Sequence, residues 1–231
     1  MTSPSHPYRL IVFDVDGTLV DSQHGIVAAM GEAFGHLDLP APAAAAVRRV
    51  VGLSLDEAVA RLLPEDIARD SVLVDRAAAA YKQAFLTLRQ RPDYTEPLFP
   101  GVREALAALN MPEVCLGVAT GKARRGLDAT LARHDLAGHF VTLHTADGGA
   151  GKPHPRMLVE AMTAVGAQPS ETVLIGDTVY DMEMAANAGT DALGVAWGYH
   201  EVAELHAAGA RQVLAAFDDL HAALASARES V

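Results

Sequence analysis

The sequence has one cysteine, no long apolar run and fewer basic than acidic residues, and each shortage excludes a class of protein. Cys115 has no second cysteine to pair with, so no disulfide can form within the chain and a reducing compartment is expected. No window is apolar enough to predict a membrane span, and the polar segment from Met1 to Pro7 lacks the apolar centre of a signal peptide. We therefore expect a cytoplasmic protein, with Cys115 as a small buried side chain in its apolar run.

The low number of basic residues limits the kinds of molecule that the protein is expected to bind. The chain has 18 Lys and Arg against 29 Asp and Glu, which gives a formal net charge of −11. A strongly acidic chain repels nucleic acid and anionic lipid, so we expect neither as a partner. An anionic substrate would need a local cationic site or a metal ion. The oligomeric state stays open between monomer and homodimer.

What the sequence does contain is a short apolar run that ends in two carboxylates. Leu10–Phe13 is rich in β-branched and aromatic residues and predicts a buried strand, and Asp14, Asp16, Gly17 and Thr18 follow it. If the strand persists through both acids, their side chains point the same way. Two such close carboxylates need neutralising, for which Mg²⁺ is the obvious candidate. The alternative is an ordinary Asp-Gly turn.

The rest of the sequence has two parts with different patterns. Between residues 22 and 91 the pattern is helical, and a proline-containing linker, Arg91 to Gly101, ends this part. After it, short apolar runs alternate with helical patterns, which predicts an α/β fold with a parallel sheet covered by helices. The strands predicted after the first are Val114–Ala119, Phe140–His144, Thr172–Ile175 and Ala192–Ala196, and helices are predicted up to Ala216–Ala227.

Polar residues follow several of these strands, and a parallel sheet would collect them at one edge. They are Thr120 and Gly121, then Lys152, then Asp177 and Asp181. The charges indicate roles at a phosphoryl group, whose equatorial oxygens carry negative charge. Lys152 would neutralise these oxygens, while the Thr120 hydroxyl and the Gly121 N–H, expected at a helix start, would donate to them. Each residue alone is also typical of a turn, a helix cap or a solvated surface.

The acidic residues predict the metal site and the reaction. Mg²⁺ would be held by Asp14, Asp177 and the backbone carbonyl of Asp16. One carboxylate would attack phosphorus and its neighbour would transfer protons. Asp181, four residues after Asp177 and expected on the same face of a first helical turn, would support the hydration shell of the metal.

Together these motifs resemble the haloacid dehalogenase (HAD) superfamily phosphatases of subfamily IA, which carry a helical cap after the first strand. The match consists of Asp14-Val15-Asp16-Gly17-Thr18, Thr120, Lys152-Pro153, and Gly176-Asp177-Thr178 with Asp181. The resemblance implies a Rossmann-like core of residues 1–19 and 96–231 and an all-helical cap of residues 20–95. It implies that Asp14 is the nucleophile and Asp16 the general acid/base, that Thr120, Gly121 and Lys152 bind phosphate, and that Asp177 binds Mg²⁺.

Within that superfamily the chain is most similar to phosphoglycolate phosphatases, through Phe99-Pro100-Gly101-Val102 and Trp197-Gly198-Tyr199-His200. The implied substrate is a small phosphorylated metabolite, over which the cap closes on hinges near Leu19–Ser22 and Thr95–Gly101. Arg48 and Arg49 are candidates for the distal end of the substrate, or simply exposed helical arginines.

Other functions are also open to the sequence. An inorganic pyrophosphatase remains an alternative on this fold, as does a β-phosphoglucomutase, although Leu55 follows Gly52-Leu53-Ser54 where that mutase has an arginine. A phospho-acceptor signalling module is a remote alternative, since receivers are about half this length and have no cap. A nucleotide-binding P-loop is excluded because Ala146 and Pro153 replace its glycine and hydroxyl residue.

Overall fold

A computed structural model describes residues 7–226, and its centre is a six-stranded sheet whose neighbouring strands are all parallel. The strand order is β3-β2-β1-β4-β5-β6: β2 and β3 lie on one side of β1, and β4, β5 and β6 lie on the other. Their bounds are Leu10–Phe13 (β1), Cys115–Thr120 (β2), Thr142–Thr145 (β3), Thr172–Gly176 (β4), Asp191–Val195 (β5) and Gln212–Leu214 (β6).

Helices cover the sheet and form the cap. The first four, α1 to α4, follow β1 directly: Gln23–Gly35, Ala44–Val50, Leu55–Leu62 and Ser71–Arg89. The others, α5 to α10, are Val102–Ala108, Arg124–Arg133, Arg156–Val165, Val179–Ala188, Val202–Ala207 and Leu220–Ala225. Short 3₁₀ turns occupy Ala137–His139, Ala146–Gly148, Pro169–Glu171 and Phe217–Asp219.

The central strand explains why the sheet is covered on both faces. All four residues of β1 are buried, and successive side chains in a strand point to opposite sides. Ile11 and Phe13 join one apolar cluster, while Leu10 and Val12 join another on the opposite face. A strand buried on both faces is typical of a parallel sheet between helical layers, as the sequence predicts.

The inserted helices have an apolar core of their own. Met30 and Phe34 of α1 pack with Val47 of α2, Val59 of α3 and Ala77 of α4. This cluster is separate from the two that flank the sheet, so the helical cap after the first strand is confirmed. Its bounds at residues 20 and 95 stay a prediction.

The two segments that join the cap to the sheet lie side by side. The Asp21 N–H donates to Pro97 O at 2.8 Å, and the Phe99 N–H donates to Leu19 O at 3.0 Å. These are the segments proposed as hinges, and the hydrogen bonds tie them into one connection. Within residues 7–226, none of the helices has the length and apolar character needed to cross a membrane.

Several predicted elements differ from the structure. Strand β1 ends at Phe13, so Asp14 and Asp16 both lie beyond it. Strand β6 has no counterpart in the sequence prediction, because three residues with an exposed Gln212 show no alternating pattern. The predicted helix Ala216–Ala227 begins instead with the 3₁₀ turn Phe217–Asp219, and its residue 227 lies outside the described residues. Cys115 is half-buried rather than buried, because it is the first residue of β2.

Candidate active site

The candidate site begins at Asp14, one residue beyond the central strand. The Asp14 N–H donates to Ile175 O of the neighbouring β4 at 2.9 Å, which holds the acid at the carboxyl end of the sheet. On the other side β1 pairs with β2, so Asp14 lies where the strand order reverses. Such switch points open a crevice, and ligands of open α/β sheets bind there.

A buried lysine stands between two buried carboxylates at this point. Lys152 follows the loop after β3, and its Nζ is 2.8 Å from Asp14 Oδ1 and 2.6 Å from Asp181 Oδ1. Burial on its own lowers the pKa of Lys152, but the two carboxylates raise it above its usual value. Lys152 is therefore a fixed cation next to Asp14.

Asp177 is held by hydrogen bonds from two other loops. Its Oδ1 accepts from Thr18 Oγ1 at 3.1 Å, and its Oδ2 accepts from the Tyr199 N–H at 2.9 Å. Gly17 lies so close that a Cβ there would be 2.2 Å from Asp177 Oδ2, and its φ of +89° also favours glycine. The Asp-Gly turn is thus what allows the loop after β1 to reach Asp177.

Asp181 is fixed by the start of helix α8. Its Oδ2 accepts from the Thr178 hydroxyl at 2.6 Å and from the Thr178 N–H at 3.1 Å, which forms a capping box. Asp177 precedes the helix, so the two acids do not share a helical face as predicted. The loop brings them together instead, and the other oxygen of Asp181 remains directed at Lys152.

The acidic group fits a divalent metal ion. Asp14, Asp177 and Asp181 are buried, and one oxygen from each lies within 4.8 Å of the others. Among the described residues, Asp14 Oδ2 has no hydrogen-bond partner. Burial, together with the neighbouring carboxylates, raises the pKa of Asp14 to about 6 and that of Asp177 well above its usual value. A hard cation with oxygen ligands, such as Mg²⁺, would supply the charge that one lysine cannot balance.

Thr120 and Gly121 lie at the carboxyl end of β2, next to the cap. Thr120 Oγ1 accepts from the Lys122 N–H at 3.2 Å, so its own hydrogen remains available to a ligand. Gly121 is not at a helix start as predicted, because α6 begins three residues later at Arg124. A Cβ on Gly121 would be 2.5 Å from Leu53 O, so the loop after α2 rests directly on this glycine.

Asp16 has a different set of partners from Asp14. Lys122 Nζ donates to Asp16 Oδ1 at 2.6 Å and to Glu96 Oε1 at 3.2 Å. Burial on its own raises the pKa of Asp16, but Lys122 outweighs it and holds that pKa below its usual value. Arg89 of the cap also contacts Glu96, at 3.4 Å, and donates to Thr130 at 2.8 Å. Asp16 is therefore connected to Arg89 of the cap through the ion pairs of Lys122 and Glu96.

A cavity of about 710 Å³ lies between the sheet and the cap, and we call the charged groups on its sheet side the floor. Asp14, Asp16, Thr120 and Gly121 line it from the sheet side. Residues of all four cap helices line it from above. A cavity of this size suits a small organic ligand.

A family model described as haloacid dehalogenase-like hydrolase matches residues 11–195. The chain belongs to that family. The resemblance that the four motifs indicate is therefore confirmed, and with it the Rossmann-like core with a helical cap.

Individual members of the family carry phosphatase names. The chain is 36% identical to the probable phosphatase IndB of Dickeya dadantii (strain 3937) over 212 residues, 91% of each chain. It is 30% identical over 194 residues to a phosphoglycolate phosphatase of Vibrio vulnificus (strain YJ016), covering 83% of this chain and 85% of that one. A crystal structure of a predicted phosphoglycolate phosphatase from Haemophilus somnus 129pt has a TM-score of 0.83 at 21% identity and covers 95% of this chain and 99% of its own. Because the identity to this crystal structure is only 21%, the similarity shows a shared fold and nothing more.

The structure of this HAD-like protein brings most of the predicted site residues together, but not the two cap arginines. Within the described chain, neither Arg48 nor Arg49 lines the cavity. Arg49 instead forms an ion pair with Glu204, whose carboxylate is 2.6 Å away on α9. Arg48 Nη1 is 3.5 Å from Gln23 Oε1.

Sequence reasoning missed the partners of Asp16. The sequence gives a weak indication that Lys122 belongs to the site, since it lies two residues after Thr120 in a loop already assigned to the site. Glu96 carries none, because a single acid in a proline-containing linker is typical of an exposed turn. Its burial follows from Arg89, Lys122 and Thr130, which come from three separate parts of the chain.

Proposed function

We propose that this protein is a Mg²⁺-dependent phosphomonoester hydrolase that forms an aspartyl-phosphate on Asp14. The observation that carries the proposal is the buried Lys152 between Asp14 and Asp181, with the Asp177 carboxylate in the same group. The residues that we propose as nucleophile, cation and metal ligands thus lie close together. The phosphatase names of the relatives support the same reaction class.

The first half of the reaction transfers the phosphoryl group to the protein. One carboxylate oxygen of Asp14 attacks phosphorus, and a bond forms between them as the bond from phosphorus to the ester oxygen breaks. Asp16 gives its proton to the departing oxygen, and the anionic phosphoryl group bound beside it would raise its pKa against the effect of Lys122 so that it carries this proton. Lys152, the Thr120 hydroxyl and the Gly121 N–H balance the negative charge on the equatorial oxygens.

The second half releases phosphate. Asp16 accepts a proton from a water molecule, whose oxygen attacks phosphorus while the bond to Asp14 breaks. Asp14, Asp177 and the backbone carbonyl of Asp16 would hold Mg²⁺, with Asp181 in support. When bound, the ion shields the carboxylates from the anionic substrate and helps to neutralise the transferring group.

The substrate class we propose is a small phosphorylated metabolite, turned over in the cytoplasm. The cavity of about 710 Å³ supports a small molecule rather than a polymer, and the net charge of −11 disfavours nucleic acid. A single cysteine suits a reducing compartment.

The test is hydrolysis of 4-nitrophenyl phosphate by the wild type and the Asp14→Asn variant, with Mg²⁺ and after its removal by chelation. We expect activity to depend on Mg²⁺ and to fall by roughly 1000-fold or more in the variant, as for loss of a nucleophile. Asp93→Asn is the matched control, because that acid is exposed on the cap side and pairs only with Arg91 in the described structure. Full activity of Asp14→Asn would refute the mechanism, and isomerisation of a sugar phosphate without phosphate release would favour a mutase.

A further inference from the structure

The cap covers the candidate site with apolar side chains. Met30 and Ile26 of α1, Val47 and Val51 at α2, and Tyr81 and Phe85 of α4 line the cavity opposite Asp14. The first four of these are buried, and all six belong to or pack against the apolar core of the cap. We call this set the roof. The roof would be in contact with whatever part of a substrate extends away from the phosphoryl group.

The cations near the floor of the cavity are already paired. Four basic residues line the cavity, and Lys82 and Arg125 among them are exposed. The other two, Lys122 and Arg89, are bound to Asp16 and to the buried Glu96. Lys152, below them, is bound to Asp14 and Asp181. A carboxylate one carbon from the ester oxygen, as in phosphoglycolate, would find no unpaired cation among these floor residues.

We propose, on the basis of the phosphatase function above, that the substrate is a phosphomonoester with an uncharged, predominantly apolar leaving group larger than that of phosphoglycolate. Burying apolar surface against the roof stabilises such a group, at about 25 cal/mol per Å². Burying a second carboxylate against the roof has a desolvation cost, and none of the six roof residues carries a positive charge to offset it. The cavity of about 710 Å³ also has room for a body well beyond two carbons.

The test compares esters that differ only in the leaving group. Propyl phosphate replaces the carboxylate of phosphoglycolate with an uncharged group of similar size, and hexyl phosphate extends the chain by three methylenes. We expect kcat/KM to be higher for propyl phosphate than for phosphoglycolate. It should rise roughly tenfold or more from propyl to hexyl phosphate, since each methylene buried adds to the stabilisation.

A second measurement locates the effect in the roof. Met30→Gln keeps the length of the side chain but makes it polar, so the ratio of kcat/KM for hexyl over propyl phosphate should fall severalfold. The ratio is internal to each variant, so partial loss of folded protein does not change it. Val72→Thr is the control, because Val72 is exposed on α4 and is not among the residues that line the cavity in the described structure.

The outcomes separate this inference from the proposed function. No hydrolysis of any ester, including 4-nitrophenyl phosphate, would refute the phosphatase function itself. Hydrolysis of all esters with phosphoglycolate preferred over hexyl phosphate would overturn only the inference about the leaving group. A hexyl-to-propyl ratio that Met30→Gln and Val72→Thr leave equally unchanged would also overturn it, because the preference would then arise outside the roof.

Discussion

The two sides of the cavity are built on different principles. On the sheet side, charged groups hold one another at short range: Lys152 lies within 2.8 Å of two carboxylates, and Lys122 lies 2.6 Å from Asp16. On the cap side, side chains such as Met30 and Val47 meet through apolar contact alone. Charged pairs are specific in distance and partner, whereas apolar packing tolerates exchange of similar volumes.

This difference assigns different tasks to the two sides. The charged floor supplies what every phosphomonoester has in common, a dianionic group on a carbon-bound oxygen. The apolar roof meets the part in which phosphomonoesters differ. Changes in the floor should therefore affect all substrates together, while changes in the roof should affect their ranking.

The largest effect is expected from removing the buried cation of the floor. Lys152→Met leaves Asp14 and Asp181 buried without their shared lysine. Breaking a buried ion pair on one side costs about 3–5 kcal/mol of unfolding free energy. Loss of a charge-stabilising donor should also lower kcat for every ester by roughly 100- to 1000-fold. Urea denaturation in the presence of a chelator and steady-state kinetics with Mg²⁺ measure the two effects.

Asp14→Asn is the matched comparison for this experiment. It also removes activity, but it takes away one of three clustered carboxylates, two of which share Lys152. Its unfolding free energy in chelator should be no lower than that of the wild type, since like charges close together are relieved. If Lys152→Met proved as stable as the wild type, the ion-paired description of the floor would be wrong.

A smaller effect is expected where the two sides touch. In Gly121→Ala the new Cβ would be 2.5 Å from Leu53 O and 2.7 Å from Gly52 O, which is too close for contact. The cap loop must shift, and a displacement of about 1 Å near reacting groups can reduce kcat/KM by roughly 100-fold. Overpacking of this kind costs about 1–3 kcal/mol of unfolding free energy. Kinetics with 4-nitrophenyl phosphate and urea denaturation test both.

Gly138→Ala is the control for that substitution. Apart from the neighbouring residues in the chain, none of the described residues has an atom within 4 Å of the position that a Cβ on Gly138 would take, and the φ of this glycine is not positive. Alanine there should leave kcat/KM unchanged and stability equal or slightly higher. Equal kinetics for the two alanine variants would show that the contact between Gly121 and the cap loop has no part in catalysis.

The contrast between the charged floor and the apolar roof also explains which parts of the site can be predicted from the sequence. The floor residues can be recognised from local sequence: Asp14, Lys152 and Asp177 follow a strand or its loop, Thr120 ends one, and a parallel sheet must gather such positions. Their partners are harder to predict, because Glu96 and Lys122 are 26 residues apart and meet only in the folded chain. The helical pattern predicts the cap, but not which side chains face Asp14.

The two open interpretations of the cap arginines have the same cause. Arg48 and Arg49 are candidates for substrate contact in the sequence because they are basic and lie in a cap helix, yet in the structure Arg48 is directed to Gln23 of α1 and Arg49 to Glu204 of α9. Arg49 contacts Glu204, a residue more than 150 positions away. No local pattern contains that information, since packing of one helix on another sets it.

The smallest effect is expected from Arg49→Ala, which removes the ion pair between the cap and α9 without touching the cavity. The Arg49 and Glu204 side chains are 49% and 38% exposed, and exposed pairs contribute little because solvent and salt screen them. We expect a melting temperature within about 2 °C of the wild type and a KM that changes less than about twofold. Arg124→Ala, which breaks an exposed pair with Asp128 within α6, is the control. A large rise in KM for Arg49→Ala but not for Glu204→Ala would place Arg49 on the substrate and give the roof a cation that its apolar description excludes.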